Sequence, residues 1–401
     1  MPRTFLSLIA LSALLVPTFA TAQEPPKAKG AVGEGVPAFT VRPGYSVSLA
    51  ATDLKESRFM AFDEAGTLYV SQPKAGTILA LKDTDSNGSY EFVAPFVTDK
   101  PTVQAMQFKD GWLWFATSQG VYKTRDKDND GVSDETVVVI PEGQLPGKTG
   151  HWWRSLLVTD DGFYTSVGDP GNATDEESER MKIWHFDLNG SNKKLFVTGI
   201  RNTEELQIRP GTKEIWGWDH NSDNFAATYG ETKDKTPITD LNPPEEFNHY
   251  VEGNFYGHPY VNATRIPRPE FAKKEGIIDI AAKTTVPEWT YSAHWAINGW
   301  TFLTKDAFPG HKGDVITAAH GSWNSSKKVG YRVDRVLFDL WTSKPYGSHM
   351  LVSTLAADGK EVLARPCDVV EAPDGSLLFT DDSKGKIYRI SHEKIEGNVG
   401  H

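Results

Sequence analysis

The sequence is poor in the features that staple or anchor a chain. One cysteine, Cys367, occurs in 401 residues, so no disulfide can form within the chain, and stability must come from a packed core or a bound metal. Beyond the first 22 residues no apolar run approaches the roughly twenty residues that a membrane-spanning helix needs. Positive charge is also short: 42 Lys and Arg against 53 Asp and Glu leave a net charge of −11, which argues against nucleic acid as a partner, because its phosphates would be repelled. What is abundant is tryptophan (12), glycine (35) and proline (24), a composition suited to short strands joined by tight turns.

The N-terminus reads as a secretory signal over 1–22, with Arg3, an apolar core and small residues at Ala20 and Ala22. Cleavage after Ala22 would deliver a periplasmic or secreted protein, and residues 23–38 read as a flexible leader. From 39 to 395 the chain repeats one pattern, an Asp or Gly turn followed by an aromatic or β-branched strand. The copies fall at 63–70, 110–115, 161–165, 211–216, 313–317 and 374–379. For the first four the spacing is about the length of a four-stranded propeller blade. Six copies predict an all-β, six-bladed β-propeller with an irregular loop insertion between blades, where the spacing stretches between Trp216 and Gly313. An open sandwich is the alternative, though sandwiches rarely repeat one pattern at this length.

Residues 83–91 and 126–134 share the form D-x-D-x-[DN]-G-x-x-[DE], either as equivalent blade-edge hairpins or as calcium loops. The insertion holds an acid, imidazole and amide cluster at Asp219, His220 and Asn221, which suits a metal, sugar hydroxyls or turns over a core. Residues 253–260 alternate glycines with aromatics and are expected to shape a wall. The most suggestive stretch is 150–172, which places His151 ahead of a strand at 163–167 and Asp169 just after it. If the chain folds back there, the carboxylate orients the imidazole and raises its basicity. His320, Trp323 and Asn324 follow another strand and could stack on and hydrogen-bond a planar ligand.

At these positions the chain resembles the soluble sugar dehydrogenases that use pyrroloquinoline quinone (PQQ), the glucose/sorbosone dehydrogenase family of six-bladed propellers, and in particular its L-sorbosone dehydrogenase-like branch. The matching features are His151 ahead of Asp161-Gly162 and Gly168-Asp169, then Gly199-Ile-Arg-Asn with Leu206 and Pro210, then Glu246-Phe-Asn248 with Gly253-Asn-Phe-Tyr-Gly-His-Pro259. The sorbosone branch adds His320-Gly-Ser-Trp-Asn324 and Arg365-Pro366.

The resemblance implies oxidation of a sugar (an aldose, sorbosone or pyranose) by hydride transfer to PQQ, with electrons passing on to a separate acceptor. It makes His151 the general base, held by Asp169, and sets Arg201 over the quinone oxygens with Asn202 beside it. It adds His320, Trp323, Asn324 and Arg365 as cofactor contacts and puts a calcium ion (Ca2+) near Asn221 and Ser222. Glu204 and Glu205 depart from the family pattern and are expected to point away from an anionic cofactor or to hold the calcium; Ser325 replaces the family's arginine. Two other classes compete. A calcium-dependent lactonase-like hydrolase would gather acid and amide side chains at the channel centre, and a non-catalytic propeller binding sugar or protein would keep His151 and Arg201 apart.

Overall fold

The computed structural model describes residues 30–128, 130–230, 236–310 and 312–392, so the stretch read as a signal and residues 23–29 of the expected leader lie outside the described residues. Six sheets of four or five strands form the six blades. Blade 1 runs Met60–Phe62, Leu68–Gln72, Thr77–Lys82 and Phe92–Val97, each strand antiparallel to the one before. Blades 2 to 5 follow at 106–140, 157–198, 206–291 and 297–353, and blade 6 begins at 366.

Blade 6 is completed from the other end of the chain. Tyr45–Ala51 lies antiparallel to Lys386–His392, with Val47 opposite Ile390, and Thr40–Val41 joins the edge of blade 5 at Val352 and Ser353. Part of the stretch read as a flexible leader is therefore tied down: Ala31 and Val32 run parallel beside Ser46 and Val47, with both side chains exposed.

All six repeated turns join the first and second strands of a blade. Their chemistry is local. Asp63 accepts from the main-chain N–H groups of Ala65 (3.0 Å) and Thr67 (2.7 Å), and Gly66 takes the positive φ of 89° that the turn requires. At Asp110-Gly111 both residues have positive φ, as a two-residue hairpin demands. The second strands read as nearly unbroken apolar runs because a neighbouring blade covers each face; Leu68–Gln72, Ile215–Asp219, Val315–Ala319 and Leu377–Asp381 are buried throughout. Cores lie between blades. Trp216, Phe247, Trp300 and Phe338 pack between blades 4 and 5, and Val47 joins Val352, Phe379 and Tyr388 between blades 5 and 6.

The irregular segment lies inside blade 4, not between blades. One piece, 220–244, joins its second and third strands, and the other, 251–288, joins its third and fourth. Pairing of Ile215 with Tyr250 and Glu246 with Thr290 holds each loop's ends about one strand apart, and lengthening a loop between fixed ends adds little closure entropy. The acidic loops 83–91 and 126–134 are equivalent hairpins between the third and fourth strands of blades 1 and 2. Their carboxylates turn inward on their own loops, Asp83 accepting from Gly88 and Asp126 from Gly131, both at 2.8 Å.

Val47 is 1 % exposed in the strand that closes the ring. Val47→Asp buries a charge with no partner and should lower unfolding stability by at least about 3 kcal/mol. Urea unfolding measures this; a loss below about 1 kcal/mol would show that the N-terminal strand adds little to closure.

Candidate active site

Antiparallel blades place two sets of loops on one rim: those between the second and third strands, and those linking one blade to the next. There the connections and loops of blades 2 to 6 surround a cavity of about 210 Å³ over the channel. His151, Arg201, Asn202, Asn221, His320 and Trp323 all line it, although they span 173 residues of sequence (323 − 151 + 1). Arg58, Trp153, Glu204, Asp223, Glu245 and His294 complete the wall.

His151 is held by the main chain. Its Nδ1 lies 2.9 Å from the carbonyl oxygen of Asp169, and its own N–H donates to that oxygen at 3.1 Å. This fixes the tautomer with the proton on Nδ1 and leaves Nε2 as the acceptor. Burial, with the Arg201 guanidinium nearby, pushes the imidazole down to about 4. Asp169 therefore does not act on His151 through its carboxylate, as the spacing suggested. That carboxylate is fully buried and faces the other way, accepting from Thr174 (2.8 Å to its N) and standing 2.6 Å from His258 Nε2. Burial opposes ionisation, but His258 and Thr174 outweigh it and hold Asp169 well below the usual carboxylate range. His258 comes from the 253–260 segment, so that wall carries a titratable group into the support of the site.

Two buried arginines fix the His151 loop. Arg180 donates to the carbonyls of Gly168 (2.6 Å), Thr149 (2.7 Å) and His151 (3.0 Å). Arg154 donates to the carbonyls of Ser118 (3.0 Å), Ser166 (3.4 Å) and Pro146. Neither has a carboxylate within ion-pair distance among the described residues, and burial, then Arg180, pushes Arg154 down to about 9.

Arg201 is 3 % exposed and is aimed by the loops of blades 3 and 4. It donates to Asn172 O (3.0 Å), Asn172 Oδ1 (3.0 Å) and His220 O (3.2 Å), with Asp223 Oδ2 at 3.4 Å. Asn202 donates to Glu204 and to His220 Nδ1, both at 3.2 Å. Glu204 does not face the cavity as a bare anion, because it pairs with Arg58 at 3.2 Å and accepts from Gln104 at 3.1 Å. Glu205 turns away, accepting from Trp300 N (2.7 Å) and Gln207 (2.8 Å). Arg58 also pairs with Asp382 (3.0 Å) and lies 4.2 Å over the Trp153 ring. His320 Nε2 stands 2.9 Å from Asp382, a further imidazole in the wall and one with a carboxylate behind it.

Three expected contacts lie elsewhere. Asn324 is buried and exchanges hydrogen bonds with Asn224, latching two loops together, because its amide matches that main-chain and side-chain pair. The Ser222 hydroxyl oxygen accepts from Arg268. Arg365 lines a neighbouring cleft with Asp53 and Lys384 and reaches the cavity only through Asp382, at 2.6 Å. Sequence reading missed Arg58, Gln104, Asp382, Glu245 and Arg180. A signal existed for some of them: Arg58, Gln104 and Glu204 each stand two residues ahead of the innermost strand of their blade, and that repeat position points at the axis.

A family model described as TrAA12-like matches residues 39–393. The chain belongs to the TrAA12-like family. Among solved structures it is similar to the calcium structure of Trichoderma reesei carbohydrate-active enzymes family AA12, 19% identical over 90% of this chain and 98% of that one, with a TM-score of 0.75. It is also similar to the holo pyranose dehydrogenase PQQ domain of Coprinopsis cinerea (17% identical, 90% and 100% covered, TM-score 0.72). A soluble aldose sugar dehydrogenase of Escherichia coli in its apo form follows at 17% identity, 87% and 100% coverage and a TM-score of 0.61. At these identities the likeness shows the fold. An uncharacterized protein of Borreliella burgdorferi is 28% identical over 235 residues, and the chain spans 57% of that relative's length.

His151 is neutral in the folded chain down to a lower pH than in the unfolded one. Between about pH 6.5 and about pH 4 the unfolded state binds a proton that the folded state refuses, so this group makes stability fall as pH falls through that window. His151→Gln should flatten part of the loss, and an imidazole NMR titration of the wild type should give a midpoint near 4. A midpoint near 6.5 would show a solvated ring.

Proposed function

We propose that this protein is a periplasmic or secreted PQQ-dependent dehydrogenase that oxidises a sugar hydroxyl carbon and passes electrons to a separate acceptor. The observation that carries this reading is a neutral, main-chain-oriented His151 in the same cavity as Arg201, Arg58 and two tryptophans. Such a donor set fits a planar, anionic cofactor: Trp153 and Trp323 offer ring faces, and Arg58 Nε is buried without a partner among the described residues. The charge pattern fits an anion accompanied by a metal better than an anion alone. Arg58 and Arg201 are already matched by Glu204, Asp382 and Asp223, so a dication would offset the surplus that a tricarboxylate adds.

When bound, PQQ supplies a two-electron acceptor for hydride. The chain's own residues do the rest. His151 Nε2 takes the hydroxyl proton, as a general base whose other nitrogen is fixed by Asp169 O. A base with a pKa near 4 is unprotonated at neutral pH but weak, so the sugar must be held close to it. Arg201, supported by Asn172, would stabilise negative charge beside it, with Asn202, His320 and Trp323 completing the cofactor wall and Asn221 placing a carbonyl or amide oxygen toward calcium. Arg365 would act at one remove, by holding Asp382. The side chains of Asn221, Asp223 and Glu245 also favour a second reading, a calcium-dependent lactonase-like hydrolase. A binding propeller with no chemistry is disfavoured by His151 and Arg201 sharing one cavity.

The decisive assay mixes purified protein with PQQ and CaCl2 and follows dye reduction across a panel of aldoses and pyranoses, with lactone hydrolysis run in parallel. Reduction with at least one sugar is expected; none with any sugar, and no spectral change on adding PQQ, would remove the proposal. His151→Ala should lower kcat by about 10²–10⁴-fold with cofactor binding nearly intact, while Arg201→Ala weakens both. Normal turnover in the His151 variant would make the base assignment wrong.

A further inference from the structure

Three carboxylates of blade 4, Asp219, Glu245 and Glu246, are buried, and none lies within ion-pair distance of a cationic side chain among the described residues. Two of them are well served. Asp219 accepts from Arg201 N (2.8 Å), Asn202 N (2.7 Å) and Thr203 Oγ1 (3.2 Å), and Glu246 accepts from Ala263 N (2.7 Å) and Asn221 Nδ2 (3.0 Å). Glu245 is not. It is 3 % exposed, and its hydrogen bonds come from the main-chain N–H groups of Asn221 and Ala296, both stretched to 3.4 Å. Of the three acids it alone lines the cavity.

A buried carboxylate so poorly hydrogen-bonded must take up a proton or find a cation. The imidazole of His220 does not turn to it: its Nδ1 faces the Asn202 amide N–H, and its Nε2 is 2.7 Å from Ile297 O, so both ring nitrogens already have partners. Asn221 and Asp223 bring further oxygens to the same wall. Among the described residues Asn221 Oδ1 accepts only from the adjacent Ser222 N, at 3.3 Å, and Asp223 meets Arg201 at 3.4 Å and His294 at 3.6 Å. All the underused ligands here are oxygens, which selects a hard cation over a soft one.

We propose that Glu245 is the anionic side-chain ligand of a calcium ion at the mouth of the channel, with Asn221 and Asp223 contributing oxygens. No cationic side chain lies within ion-pair distance of Glu245 among the described residues, so an ion there both fills the cavity wall and neutralises the acid. The proposal deepens the calcium part of the dehydrogenase reading and rests on that part only.

The test is isothermal titration of calcium into EDTA-treated, full-length protein without quinone or sugar. Asp85→Ala and Asp128→Ala are introduced first, so that the acidic loops on the opposite rim do not contribute. This parent should bind one calcium ion, and Glu245→Gln should weaken binding at least tenfold with an unchanged circular dichroism spectrum. Should Glu245→Gln fail to fold, Glu245→Asp, which keeps the charge and shortens the reach, should fold and bind more weakly. A parent that binds no calcium, or a Glu245 variant within twofold of it, overturns the proposal. Calcium binding that depends on Glu245 in a protein inactive with every sugar would leave this inference standing and remove only the dehydrogenase reading.

Discussion

Closure of the ring by Tyr45–Ala51 is the constraint on which the rest of the structure depends. A propeller blade needs cover on both faces, and here the outer part of the last blade is supplied from the beginning of the chain. Pairing with Lys386–His392 does this. Arg58 on the entry to blade 1 can meet Glu204 from blade 4 and Asp382 from blade 6 because the ring has closed.

Charge burial is the second organising problem. Residues from six blades converge on one axis, and many are ionisable. Arg58, Glu204, Gln104 and Asn202 answer it with a network centred on Glu204, which accepts from the other three. Arg154 and Arg180 answer it differently, placing their cations against carbonyl oxygens. These guanidiniums exchange the hydration they lose for a rigid set of main-chain dipoles, which makes them anchors for the loop that carries His151.

The architecture was legible because its signal is local. Each Asp or Gly turn specifies a hairpin within a few residues, and six such turns, the first four at blade spacing, leave few alternatives. The blade-4 insertion was legible as an insertion but not in its place, since only the pairing of Glu245–Tyr250 with its neighbours tells which strands it separates. At the site, His151, Arg201, Asn202, Asn221, His320 and Trp323 were legible because they stand in or beside the motifs that carry the resemblance to the sugar dehydrogenases. Partnerships were not. Asp169 looked like the partner of His151 by proximity, yet its carboxylate pairs with His258, 89 residues away, and only its carbonyl meets the imidazole. Asn324, in such a motif like the others, proved to be a latch because its direction depends on Asn224 in another blade.

The clamp on His151 has a consequence for how the site meets acid. Its fastenings are Asp169 O, Arg180 and the strand of carbonyls between them, and none of these gains or loses a proton over the range in which imidazoles titrate. The ring's aim and the ring's charge are thus set by separate parts of the molecule. Acidification can switch the base off without displacing it, and raising the pH restores a ring that never left its place.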